Sequence, residues 1–155
     1  MILTTRAGES ADADAIIELL PRLADYELPS RREAAMFWSS DADLVRTWAT
    51  GDAPATFVRV GLESEARVVG AAIVTMNADY FSGEPNAHLE AIVVHRSADG
   101  HGLGRRLIEE CEDEAASRGA LAMSLHVLGN NHRARALYRK LGYDEEMIRA
   151  VRFLD

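Results

Sequence analysis

The sequence contains one cysteine, Cys111, in 155 residues. That excludes an internal disulfide and a cysteine-rich zinc site. None of the five histidines has the His-x-x-x-His spacing that sets two imidazoles on one helix face, so no metal is expected. No apolar stretch approaches the length of a membrane span, and the opening MILTTRAGES lacks the apolar segment of a signal peptide. The expectation is a cytoplasmic protein without a membrane partner. A basic excess is missing too: the formal net charge of −8 argues against nucleic acid and favours the approach of cations. Repeats, low-complexity tracts and long linkers are absent, so residues 1–155 read as one domain, large enough for its own core. Nothing here excludes a homodimer.

What is present concentrates in residues 91–115, AIVVHRSADGHGLGRRLIEECEDEA. A short apolar run, residues 91–94, reads as a buried strand. A polar turn with Gly100, Gly102 and Gly104 follows, then an amphipathic helix. Cys111 shares the apolar face of that helix with Leu103, Leu107 and Ala115, and reads as a packed small hydrophobe rather than a nucleophile. Glycines at a strand-to-helix junction let backbone N–H groups approach an anion, and the helix adds the positive end of its dipole. A nucleoside-triphosphate loop would need Lys and Ser/Thr after the last glycine, where Arg105 and Arg106 stand. A dinucleotide fingerprint would need one more residue between the last glycines and a carboxylate closing the next strand, and residues 121–128 end without one.

Downstream, Ala134, Leu137, Tyr138 and Leu141 make one apolar helix face, with Asn130 or Asn131 available as cap and Gly142 as terminator. Taken together, these segments resemble the GNAT superfamily of acetyl-coenzyme A-dependent N-acetyltransferases. Gly102-Leu103-Gly104 matches the glycine part of that family's pyrophosphate loop. Asn131, Ala134, Tyr138, Gly142 and Tyr143 match its second signature, and Leu89, Glu90 and Val94 match the strand pattern before the loop. The motifs span residues 88–143. One position departs: Asp99 stands where the family has arginine or glutamine. A carboxylate there would repel a pyrophosphate unless Arg96, Arg105 or Arg106 compensated or its side chain turned outward.

Strands are expected over residues 2–5, 55–60, 67–76, 89–94 and 121–127, with a last one within 143–154. Helices are expected over residues 11–20, with Pro21 ending or kinking the first; near Arg31, from a Ser30/Glu33 capping box; and after Asp41. Residues 63–65 should turn a hairpin, and residues 77–86 should form a loop. With the two motif helices, the order β-α-α-β-β-β-α-β-α-β is α+β, around one mixed, mostly antiparallel sheet. It is also the order that the resemblance implies.

The resemblance implies acetyl-coenzyme A as donor and a primary amine of a small molecule or peptide as acceptor, joined by direct attack in a ternary complex. The cofactor would lie against Ile92, Val93, Val94, Gly100, His101, Gly102, Leu103, Gly104, Arg105 and Asn131, with the strand splayed to admit pantetheine. A lysine-like amine is neutral in only about one molecule in a few thousand at pH 7, so a base is useful. Glu90, expected to be buried and therefore of raised pKa, is the candidate base or amine anchor, with His126 in reserve. Tyr138, a core aromatic by periodicity alone, becomes the candidate acid for the thiolate. His88-x-Glu90 resembles a deaminase fragment, but the Pro-Cys-x-x-Cys that should accompany it is absent. The alternative is a non-catalytic acyl-coenzyme A sensor or interaction module on the same fold, an alternative kept open by Asp99.

Overall fold

The computed structural model describes residues 1–64 and 66–155. Strand β1 (Leu3–Ala7) is followed by helix α1 (Ala13–Leu19), which tightens into a 3₁₀ turn, Leu20–Ala24, where Pro21 enters. A further 3₁₀ turn, Ala34–Phe37, precedes α2 (Ser39–Ala49). Then come β2 (Thr56–Glu63), β3 (Arg67–Ala78), β4 (Pro85–Val94), α3 (Leu103–Ser117), β5 (Ala122–Leu125) and α4 (His132–Lys140). The five strands form one sheet in the order β1-β2-β3-β4-β5, antiparallel throughout except for the parallel pair β4–β5. This is the expected mixed, mostly antiparallel architecture.

Both faces of the sheet are covered, which is why β2 and β3 are apolar on consecutive rather than alternate residues. One apolar layer joins Ile16, Leu20 and Val45 of the α1–α2 face to Val58, Val60 and Ile73. The other joins Leu107, Ile108 and Cys111 of α3 to Phe57, Val69 and Val74, with Leu137, Tyr138 and Tyr143 at its margin. Cys111 is fully buried and its thiol is pushed up to about 12 by burial, so it packs and does not react. Its helix is less solvated than EECEDEA suggests: Glu110 accepts from Thr5 and Arg59, and Glu112 accepts from the Tyr143 hydroxyl at 2.7 Å.

Helix α3 is seated by a notch in the sheet. Gly61 and Gly70 face each other across β2 and β3, and the side chain of Leu103, the first residue of α3, lies over them. A β-carbon at Gly61 would stand 2.7 Å from the Leu103 methyls. These two glycines therefore set how closely the start of α3 approaches the sheet.

Three expectations need correction. No helix starts at a Ser30 cap: Arg31 has φ 63°, a left-handed backbone that a helix cannot contain, and Glu33 instead precedes the short 3₁₀ turn. The loop expected over residues 77–86 is shorter, because β3 continues to Ala78 and β4 begins at Pro85. The final strand does not form. Glu145 is gripped by Arg135 and Arg139 of α4, and Phe153 lies between Arg31 and Arg32, 5.0 and 5.1 Å from their guanidinium carbons. The segment makes no sheet pairing, and Ile148 and Leu154 stand in solvent. Of the expected hairpin turn at residues 63–65, Glu65 lies outside the described residues.

Candidate active site

The turn between β4 and α3 is shaped by two left-handed glycines, Gly100 at φ 77° and Gly102 at φ 75°, and nothing lies within 4 Å of where a β-carbon would project from either. Gly102 precedes α3 without any side-chain cap. The first helical bond of α3 runs from the Arg106 N–H to the Gly102 carbonyl, so the N–H groups of Leu103, Gly104 and Arg105 precede the ladder. An open surface, uncapped donors and the helix dipole fit a pyrophosphate. Gly104 differs: its φ is not left-handed, and an added β-carbon would make an ordinary 3.6 Å contact with Val94.

Beside this turn the sheet opens. Strand β5 pairs with β4 only from Asn86 to Leu89, while β4 continues to Val94. Strand β5 ends at Leu125, opposite Leu89, and the β4 backbone beyond has no strand partner among the described residues. A cleft of about 180 Å³ lies there, lined by Arg22, Leu23, Ile92, Val93, Val94, Asp99 and Arg133. Tyr138 packs against the same apolar layer as Ile92 and Val94. Burial pushes its phenol up, so it is protonated at neutral pH, and no hydrogen bond engages it among the described residues.

Asp99 is neutralised by a residue that no motif identified. Arg22 donates from Nε to the Val94 carbonyl at 2.8 Å and from Nη2 to the Asp99 carboxylate at 3.1 Å. The arginines considered from sequence are engaged elsewhere: Arg96 with Asp25, Arg105 with Glu109 and Arg106 with Glu110. Arg105 can thus offer the anion its backbone N–H, with its guanidinium held along the helix. Arg133 lines the cleft with no ion-pair partner among the described residues. Asn131 caps α4, its Oδ1 accepting the Ala134 N–H at 3.3 Å, which leaves its amide N–H groups for a ligand. His101 turns its Nδ1 to the Asp99 carbonyl at 2.9 Å.

At the closed end of the gap, Glu90 is the extra residue of a β-bulge: Leu89 pairs with Val74 and Ala91 with Ile73, leaving Glu90 without a partner on β3. The bulge switches the facing of β4. Ala87 and Leu89 belong to the α3 layer, whereas Ala91 and Val93 belong to the α1–α2 layer. Glu90 is exposed, contrary to the buried position expected from its apolar neighbours. The burial that a base tuned to neutral pH requires is found instead at two neighbours. Asp41, in the first turn of α2, is pushed up to about 6 by burial and then by the charge of Glu90. His88 is pushed down by burial, with Glu90 and His126 acting on it in opposite directions. The rings of His88 and His126 are 4.7 Å apart.

Sequence comparison places this geometry. Residues 17–143 match the acetyltransferase (GNAT) family. The chain belongs to that family. It is 28% identical over 143 residues to thialysine N-epsilon-acetyltransferase of Bos taurus, covering 88% of this chain and 81% of that protein. It is 33% identical over 93 residues to the ribosomal protein bS18-alanine N-acetyltransferase of Salmonella typhimurium, covering 60% of this chain and 59% of that one. Among solved structures, AAC(6')-Iy bound to a bisubstrate analog, CoA-S-monomethyl-acetylneamine, matches the fold with TM-score 0.73 at 18% identity, covering all of both chains.

In this GNAT chain the structure brings together Ile92, Val93, Val94 and the turn from Gly100 to Arg105, and it sets Tyr138 on the layer beside them. Arg22, Arg133, Asp41 and His88 escaped the motif reading. Only His88 carried a usable signal, because two residues before Glu90 on a strand means the same face. Arg22 and Asp99 are 77 residues apart, and no local pattern could pair them.

Proposed function

We propose that the chain transfers acetyl from acetyl-coenzyme A to a primary amine of a small molecule or peptide, by direct attack in a ternary complex. The observation that carries this reading is the end of the β4–β5 pairing at Leu89, which leaves β4 unpaired beside the uncapped start of α3. Acetyl-coenzyme A would supply the activated acetyl group. The N–H groups of Gly100, His101, Gly102, Leu103, Gly104 and Arg105 hold its pyrophosphate, with Arg22 and Arg133 flanking. Asn131 bonds the pantetheine arm. Backbone N–H groups of Ile92, Val93 and Val94 polarise the carbonyl, an effect worth several kcal/mol in a dry site. Tyr138, kept protonated by burial, donates to the departing thiolate. Glu90 meets the acceptor as base or anchor. With Asp41 beside it, this end of the β4–β5 gap selects a cationic amine.

Thiol release on mixing the protein, acetyl-coenzyme A and a panel of amines tests the reading, and cationic amines should be the productive ones. Acetyl-coenzyme A binding without thiol release for any amine would leave the sensor alternative standing. Asp99, which kept that alternative open, no longer favours it, because Arg22 holds the carboxylate.

A further inference from the structure

A chain of hydrogen bonds fixes one imidazole at the apex of the gap. His88 faces Ser124 across the β4–β5 pair, with Nδ1 2.8 Å from Ser124 Oγ. The same oxygen accepts from Asn86 Nδ2 at 3.0 Å, and that nitrogen also reaches Asn77 Oδ1 at 2.9 Å. Asn86, the middle link, is 2% exposed, while His88 and Ser124 are half-buried and Asn77 lies at the surface. A hydroxyl oxygen has two lone pairs. One receives the Asn86 N–H. With the other taking an Nδ1–H of His88, the imidazole presents a bare Nε2. The titratable groups acting on His88 are Glu90 on β4 and His126 beyond β5, and the charge of Glu90 also raises Asp41 on α2. Burial outweighs the pull of Glu90 and keeps the ring neutral near pH 7, when its lone pair is available.

We propose that His88 takes the proton from the acceptor amine, with Asn77, Asn86 and Ser124 as positioning residues and Glu90 as the anchor of the ammonium group. This rests on the N-acetyltransferase reading and decides between the two roles left open for Glu90. The protons balance. The ammonium loses its first proton to Nε2 of His88, which passes it to water. The C–N bond forms and the C–S bond breaks. The thiolate takes the proton of Tyr138, and the second proton from nitrogen restores the phenol.

The first test needs no turnover: following the imidazole Cε1–H resonances with pH in the free protein. His88 should titrate below the ordinary 6.5, and Ser124→Ala should displace its midpoint. A midpoint above 6.5 in the wild-type protein, or one unmoved by Ser124→Ala, would overturn the assignment. The second test uses two cationic acceptors of different pKa, so that a limb fixed in pH belongs to the protein and a limb that moves belongs to the amine. His88→Gln should lower kcat by roughly 10²-fold and abolish the rising limb of the pH profile, with acetyl-coenzyme A affinity held within about twofold by calorimetry. Glu90→Gln should keep the limb and chiefly raise KM for a cationic acceptor. A His88→Gln protein with wild-type rate and limb overturns the proposal, and so does loss of the limb in Glu90→Gln alone. A wild-type protein that binds acetyl-coenzyme A yet releases no thiol with any amine overturns the enzyme reading instead.

Discussion

The two ends of the β4–β5 gap are built on opposite plans. At the α3 end the donors are backbone N–H groups, held by left-handed glycines and a helix start, and the nearby charges other than Arg133 are paired, Arg22 with Asp99, Arg96 with Asp25 and Arg105 with Glu109. At the closed end of the β4–β5 gap the groups are side chains that titrate, Asp41, His88, Glu90 and His126, and none enters an ion pair among the described residues. Backbone dipoles do not change with pH and suit a ligand of constant negative charge. The half-buried Asp41 carboxyl and His88 imidazole, with the exposed Glu90 beside them, suit a cation whose proton must leave. In the proposed function, binding and proton transfer thus fall to different chemistry along a single strand, β4, which runs through both ends.

The sharpest way to break this division is to ask whether the two ends meet at a reacting centre. Tyr138→Phe removes one hydroxyl and keeps the ring in the α3 layer. It should lower kcat by roughly 10²-fold or more, with acetyl-coenzyme A affinity almost unchanged. Activity within about twofold of wild type at every pH would return Tyr138 to the core as an aromatic only.

A smaller effect sharpens the backbone end. Gly102→Val forces a β-branched residue to φ 75° and places its side chain where the anion is expected. Acetyl-coenzyme A affinity should fall on the order of 10-fold, about 1.4 kcal/mol. Gly104→Ala is the control: its β-carbon meets Val94 at an ordinary 3.6 Å, so fold and affinity should stay near wild type. Equal losses in both variants would mean that general packing, not the left-handed turn, decides binding.

The smallest effect belongs to the titratable end and is read in stability. Folding raises Asp41 from 3.8 to about 6, so the folded chain holds that proton more tightly than the unfolded one. Stability from this group is therefore present at low pH, falls as pH rises from about 4 to about 6, and stays lost above. Asp41→Asn should stabilise the protein at pH 7 by on the order of 1 kcal/mol, discounted for solvent screening, and by nothing at pH 4. Denaturation at both pH values checks it, and an equal gain at each would deny the buried charge. Asp12 is its counterpart: Arg6 donates to it at 2.7 and 3.0 Å and lowers its pKa, so its contribution is lost as pH falls.

Local patterns determined much of this protein. The glycine turn, the cap at Asn131, the apolar runs of the strands and the burial of Cys111 follow from chain neighbours, because backbone conformation and helix periodicity act within a few residues. Glu90 was legible as a residue of interest but not as an exposed one. Its exposure comes from a bulge against β3, and a one-residue slip exchanges the two faces of a strand. The missing last strand has the same kind of cause. Residues 143–155 have the composition of a strand, yet Arg135, Arg139, Arg31 and Arg32, brought near by the fold, hold them elsewhere. The pairing of Arg22 with Asp99 and the meeting of His88 with His126 likewise belong to the tertiary structure alone. A charge interacts through space over several ångströms, and only the folded chain decides which distant residues come within that range.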